Sequence, residues 1–372
     1  MFFNPSRLEF ARTRRGWTKA RLAKELGLQV RSIQGYESGE YAPDLERLAV
    51  ISSLLRFPVD FFSGDDLPSI APDTASFRSM SKMSATLRYT ALGAGVTAFL
   101  LNDWIEERFR LPEADLPDLS DLSPEDAAAT LRRMWGLGEA PIGNLVHLLE
   151  SRGVRIYSLA IEAREVDAFS VWHRGRPFVF LNTIKSAEHS RFDAAHELGH
   201  LVRDRHSMLH GEAHSPDMER EANAFASAFL MPRASVIARK VGLLTLDKLI
   251  ELKRIWGVSV AALAFRMNQL GMFSEWTYRN LCIQIAKNGY RTSEPSPMRP
   301  EVSQLLRKVF DSLRSEGVTR GAMANQLCLA QKDIDNLTFG LALSSVATGD
   351  GGDRTMAKAT HTPTTARLRM VS

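Results

Sequence analysis

The stretch from Arg191 to Asp204, RFDAAHELGHLVRD, carries two histidines four residues apart, His196 and His200, with Glu197 directly after the first. Four residues is just over one turn of an α-helix, so the two imidazoles project from one face and come close together. Neutral imidazole nitrogens bind zinc at about 2.0–2.1 Å, and a hydrolytic zinc centre keeps one position for water. Glu197 stands beside the pair, where it can take a proton from that water instead of binding the metal. The pattern spells metal-assisted hydrolysis.

Two histidines make a poor catalytic site, so a third ligand is needed. The segment SPDMEREANAFASAFLMP supplies three acids, Asp217, Glu219 and Glu221. On one helix Glu219, Asn223 and Ala226 share a face, while Glu221 points roughly the other way. Small Ala222 and Ala226 allow close approach to the histidine helix, and Phe225 and Phe229 line the apolar side. The coherent assignment is Glu219 as third ligand, with Asn223 as hydrogen-bond partner behind a ligating histidine. His206 and His210 could replace a ligand or donate to a transition state, but a plain loop role is the simpler reading, as it is for His214.

These residues need elements to hold them. Helical patterns over PEDAAATLRRMWGLG and NLVHLLESRG lead into a strand-like VRIYSLA. AFSVWHRGRPFVFLN then reads as two apolar strands around the turn His173-Arg174-Gly175-Arg176. The histidine helix follows directly, and the next helix starts at Ser215 with Pro216 in its first turn and stops before Pro232.

The run SRFDAAHELGHLV followed by EREANAFASAFLMP closely resembles the ImmA/IrrE family of metallopeptidases, and RPFVFLN resembles the strand that family places before its motif helix. The resemblance covers roughly residues 125 to 270. It implies an α+β, gluzincin-like metallopeptidase fold with a small sheet. It also implies zinc held by His196, His200 and Glu219, with Glu197 as general base. Peptidases of this kind bind extended substrate along an edge strand, here within Ala168–Leu181. Relatives typically cleave a repressor in stress response or mobile-element control, so the implied substrate is a transcriptional repressor.

The chain opens with a second kind of module. Segments Ser6–Arg14, Thr18–Leu26 and Val30–Tyr36 have helical spacing, with turns at Gly16, Gly27 and Gly39, and Pro43 opens a further helix that stops at Pro58. Leu22, Ala23 and Leu26 pack one helix, Gly27 makes the turn, and Ile33 anchors the next. That second helix presents Gln29, Arg31, Ser32 and Gln34 outward. Arginine suits guanine and glutamine suits adenine. Phosphate contacts are expected from Arg12, Arg14, Arg15, Lys19 and Lys24. The arrangement closely resembles the XRE/Cro-type helix-turn-helix domain, including Glu37, Gly39 and Pro43, which implies an operator-DNA partner. The module carries ten Lys and Arg against seven Asp and Glu over residues 1–62, a surplus small enough to leave a protein-docking role open.

Near the other end, VTRGAMANQLCLAQKDI aligns without gaps on WTKARLAKELGLQVRSI. Its outer residues Gln331, Lys332, Asp333, Asp335 and Asn336 are too acidic for DNA, so it reads as a packing or sensing element.

The whole chain of 372 residues exceeds one ordinary core. The expected class is mainly α and multidomain: a helix-turn-helix domain over 1–64, a linker and helical connector over 65–123, the metallopeptidase-like domain over 124–270, a helical C-terminal domain over 271–342, and a disordered tail over 343–372. Only Cys282 and Cys328 occur, which excludes a disulfide framework and a thiolate cluster. The longest apolar run, Thr90–Leu101, is too short for a bilayer, and the opening residues lack the pattern of a signal peptide. The expected location is cytoplasmic, without a membrane partner. Homodimerisation is expected because helix-turn-helix proteins occupy paired half-sites. Two other functions fit the same residues: a regulator whose peptidase-like domain senses a ligand or partner without cleaving, and an operator-binding, antitoxin-like component.

Overall fold

The computed structural model describes residues 2–71, 83–159, 166, 168–210, 215–239 and 245–341. The described residues cluster into two compact units. The first begins with helices α1 (Pro5–Arg14), α2 (Lys19–Glu25), α3 (Val30–Ser38) and α4 (Leu45–Leu55), followed by a 3-10 turn at Val59–Ser63 and the long α5 (Ala85–Glu106). Polar caps set the helix starts: Asn4, Thr18 and Asp44 each accept from a backbone N–H in the first turn. Leu8, Leu22, Ile33, Ile51 and Leu55 fill the core beneath them.

The second unit holds α6 (Pro124–Met134), α7 (Leu145–Ser151), strands β1 (Arg155–Ser158), β2 (Phe169–His173) and β3 (Arg176–Leu181), then α8 (Ala187–Arg203), α9 (Arg205–His210) and α10 (Pro216–Leu230). It continues through α11 (Arg233–Ile237), α12 (Leu246–Trp256), α13 (Val260–Gln269) and α14 (Glu275–Lys287). Its sheet has the order β1-β3-β2, with β1 parallel and β2 antiparallel to β3. The hairpin turn falls where the sequence placed it, with Arg174 and Gly175 both at positive φ. β3 is buried at five of its six positions, so the helices must cover it.

The chain then returns to the first unit with α15 (Gln304–Ser315), α16 (Arg320–Gln326) and α17 (Gln331–Leu337). Residues 271–342, read from the sequence as one helical stretch, therefore contribute to both units. Leu281 and Ile285 bury α14 among α12 and α13, whereas α17 packs on α5. The proline-punctuated segment after Leu111 is also no free connector. Leu116 and Leu119 are buried, Asp115 N donates to Arg152 O at 2.9 Å, and Leu119 N donates to Val202 O at 2.7 Å. Leucines at every third position, Leu116, Leu119 and Leu122, give it an apolar side to seat. The tail expected to be disordered over 343–372 lies outside the described residues, as do 72–82, part of the expected linker and helix.

Candidate metal centre and nucleic-acid interface

Helix α8 is buried along almost its whole length, and its polar side chains are accordingly paired. At its start, Lys253 Nζ lies 2.9 Å from Glu188 and 3.1 Å from Glu294, all three side chains being nearly inaccessible. Arg191 is clamped by Glu301, whose carboxylate also receives Leu145 N at the start of α7. At mid-helix stands Gly199. A Cβ there would meet the Phe225 ring at 3.0 Å and the Ala222 Cα at 3.4 Å, so glycine permits a close crossing with α10.

That crossing brings the three expected ligands together. His196 Nε2 and His200 Nε2 are 3.1 Å apart. Glu219 Oε2 lies 3.3 Å from His196 Nε2, and Glu219 Oε1 lies 3.4 Å from His200 Nε2. Bond lengths of about 2.0–2.1 Å in a tetrahedral site imply ligand–ligand edges of about 3.3–3.4 Å, so the triad matches the size of a zinc cage. Both Glu219 oxygens are buried and face the two imidazoles, with no other hydrogen-bond donor among the described residues. A buried carboxylate in that state is costly unless a cation meets it. The residues present therefore fit a divalent metal.

The remaining polar atoms are arranged around this triad. His200 Nδ1 lies 2.6 Å from Asp204 Oδ2, one turn further along α8. Burial alone would lower the His200 pKa, but the bonds to Asp204 and Glu219 override it and push it up to about 10 without metal. Burial would likewise raise Glu219, yet the two imidazoles hold it well below the usual carboxylate range. Glu197 goes the other way: burial pushes it up to about 8, although Ser170 Oγ donates to its Oε2 at 2.6 Å. Its Oε1 meets no donor among the described residues.

Asn223 does not stand behind a histidine as expected. Its Nδ2 turns back to Glu219 O at 2.7 Å, because an amide four residues on reaches its own helix backbone first. Asp204 takes that place, and its i, i+4 spacing from His200 was legible in the opening motif. Ser170 comes from β2, 27 residues before Glu197, and had no local signal. Asp217 and Glu221 leave the site, paired with Arg220 and Arg203. His206 and His210 lie on helix α9 and not in a loop as expected, His206 is exposed, and His214 lies outside the described residues. A cavity of about 900 Å³ opens beside Glu219 and Asn223, walled by Phe192, Phe265, Tyr278 and Tyr290.

Residues 149–268 match the family model of the IrrE N-terminal-like domain, Peptidase_M78. Residues 8–62 match that of a helix-turn-helix. The chain carries an IrrE N-terminal-like domain behind a helix-turn-helix domain. The two matches have the order of ImmA/IrrE-type proteins with an XRE-type module, and the first supports a metallopeptidase-type domain. No curated protein matches the chain. No helix among the described residues is long and apolar enough to cross a membrane.

In the helix-turn-helix module, Gln29, Arg31 and Gln34 are exposed on α3 and its N-cap, and Ser32 is half-buried beside them. Gly35, a weak helix former, is explained by Tyr41, whose ring would lie 2.3 Å from any Cβ there. The expected phosphate ligands divide. Lys24 is open to solvent. Arg12 is spent on Glu37, and Lys19 lies 3.1 Å from the same carboxylate while keeping 37% of its side chain exposed. Arg14 is buried. Arg15 donates to Leu55 O and Arg56 O, stacks on Phe57, and grips Asp333 with two bonds of 2.7 Å. Their basic type was legible from the sequence, but their partners were not.

Proposed function

We propose that the chain is a zinc-dependent endopeptidase that carries its own operator-reading domain, and that its substrate is a transcriptional repressor. The observation that carries the reading is the convergence of His196, His200 and Glu219 at metal-cage spacing, with the Glu197 carboxyl one residue away on α8. A zinc ion held by these three would polarise a scissile carbonyl and acidify a water.

The chain's own groups do the rest. Ser170 holds Glu197 Oε2, so Oε1 is the oxygen left to take the water's proton. Burial raises the proton affinity of this carboxyl and a cation held by the triad would oppose that rise, so that the charged form could take the water's proton and return it to the leaving amine as the peptide bond breaks. Asp204 accepts from His200 Nδ1–H, which leaves Nε2, on the Glu219 side, as the nitrogen that would hold the metal once its own proton is displaced. The cavity beside Glu219 supplies an aromatic-walled bed for an extended peptide.

DNA reading falls to Gln29, Arg31, Ser32 and Gln34, as a homodimer on paired half-sites. A cytoplasmic location suits the two free cysteines. The complete burial of His196 and His200, at 0% exposure, supports a second reading in which the domain keeps its metal as a sensor and cuts nothing. Expressing the chain beside its Glu197→Gln form and comparing cleaved repressors, with a chelator control, separates the two. Cleavage in the native form alone supports the peptidase; equal patterns in both leave the sensor.

A further inference from the structure

Residues 303–341 repeat the start of the chain at a constant offset of 301 positions, well beyond the short run seen in the sequence. Helix α15 (Gln304–Ser315) corresponds to α1 (Pro5–Arg14), α16 (Arg320–Gln326) to α2 (Lys19–Glu25), and α17 (Gln331–Leu337) to the first seven residues of α3 (Val30–Ser38). The punctuation around the second and third helices agrees at several matched positions. Thr18 Oγ1 accepts from Arg21 N at 3.1 Å, and Thr319 Oγ1 accepts from Ala322 N at 3.1 Å. Positive φ recurs at Gly16 and Gly317, at Gly27 and Cys328, and at Gly39 and Gly340. The turn bond from Leu28 N to Ala23 O, 2.8 Å, returns as Leu329 N to Ala324 O, 2.9 Å.

The cores correspond as well. Leu8, Leu22, Ala23, Ile33 and Tyr36 are buried, and so are Val309, Met323, Ala324, Ile334 and Leu337. Where the first copy buries the ion pair Arg12–Glu37, the second has Leu313 and Thr338, both buried. Swapping a buried pair for apolar and hydroxyl groups at the same two positions preserves the fold without charge.

The copies differ in what their third helix does. The α3 side chains Arg31 and Gln34 face solvent. Helix α17 packs against α5. Asp333, the counterpart of Ser32, is buried and pairs with Arg14 and with Arg15. Asp335, the counterpart of Gln34, pairs with Arg320. At the end of the preceding helix, α16, Gln326 Oε1 accepts from Trp104 Nε1 of α5 at 2.9 Å.

We infer that residues 303–341 are a second helix-turn-helix motif whose reading helix has been turned from DNA to protein, and that it acts as the internal partner of the N-terminal one. Each chain then reads DNA through α3 alone. The ligand of the second motif is the end of α1 together with α5, recognised through the Arg14–Arg15 cation pair and an apolar helix face. The DNA part of this inference rests on the operator-reading proposal; the docking part does not.

The test uses the full chain, with two independent readouts. In DNA binding, Lys332→Ala, at the exposed position matching Arg31, is expected to leave affinity and salt dependence unchanged. Arg31→Ala is expected to weaken binding about tenfold or more. In thermal unfolding, Asp333→Asn strands two cations and is expected to lower the first unit's melting temperature by about 5 °C or more. Arg15→Gln, a milder change at the other end of the same pair, guards against outright unfolding by Asp333→Asn. The double variant is expected to lose less than the sum of the two single changes. Loss of DNA affinity in Lys332→Ala comparable to that in Arg31→Ala would overturn the inference, because the second motif would then read DNA. Unchanged melting in both Asp333→Asn and Arg15→Gln would overturn the docking. Failure of Arg31→Ala alone to matter would instead count against operator reading by α3, with the melting result still judging the docking.

Discussion

Helices α8 and α3 each carry a row of polar side chains, and they are built in opposite ways. Thirteen of the 17 residues of α8 are buried, including both histidines, Glu188, Asp193 and Glu197. On α3 the buried residues are Ile33, Gly35 and Tyr36, while Arg31 and Gln34 stand in water. A buried polar group is held by its neighbours and acts through them, whereas an exposed one waits for an outside partner. Substitutions on α8 should therefore disturb chemistry and architecture together. Those on α3 should alter recognition and leave the fold alone.

The sharpest way to break this contrast is at Glu197. Glu197→Gln keeps the shape and the Ser170 contact but removes the base, so peptide cleavage should fall about a thousandfold while metal content, measured by elemental analysis, stays unchanged. Persistent cleavage would remove Glu197 from the proposed mechanism. Next comes Asp204→Asn, which still touches His200 but no longer favours the ligating tautomer. Metal affinity in a competition titration should drop about 10- to 100-fold. A change of less than twofold would make Asp204 a mere helix-end acid.

Metal uptake should also depend on pH. Without metal, His200 stays protonated up to about pH 10, above its ordinary value of 6.5, so a cation must displace that proton. Affinity should rise as pH climbs through neutrality, with proton release visible as a buffer-dependent binding enthalpy. In the metal-free chain the same group stabilises the fold fully below about pH 6.5, and that contribution disappears as pH rises through about 10.

The smallest effect on the fold is expected on α3. Arg31→Ala should shift unfolding by no more than about 0.5 kcal/mol while reducing operator affinity by about 1–3 kcal/mol. A large loss of stability there would show that α3, like α8, is held by contacts the comparison denies it.

Much of this was legible along the chain. The caps at Thr18 and Ser215, the hairpin at Arg174-Gly175 and the HExxH spacing are local signals, each acting within a few residues. The Glu219 assignment needed a second helix, and it was readable because small residues at 222 and 226 marked the crossing face. Asn223 followed the same face rule but found its own backbone first. Arg14 and Arg15 looked like phosphate ligands because nothing nearby revealed Asp333, more than three hundred positions away.

The sequence alone determined which residues could do chemistry and where many of the helices and strands would start, because caps, periodicity and motif spacing are set by near neighbours. Only the tertiary structure decided which of those groups meet. The Glu219 oxygens face two imidazoles, Ser170 leans on Glu197, and Asp333 closes on Arg14 and Arg15 because close packing brings distant segments together. Once water is excluded, each buried charge must settle on whatever partner the fold delivers.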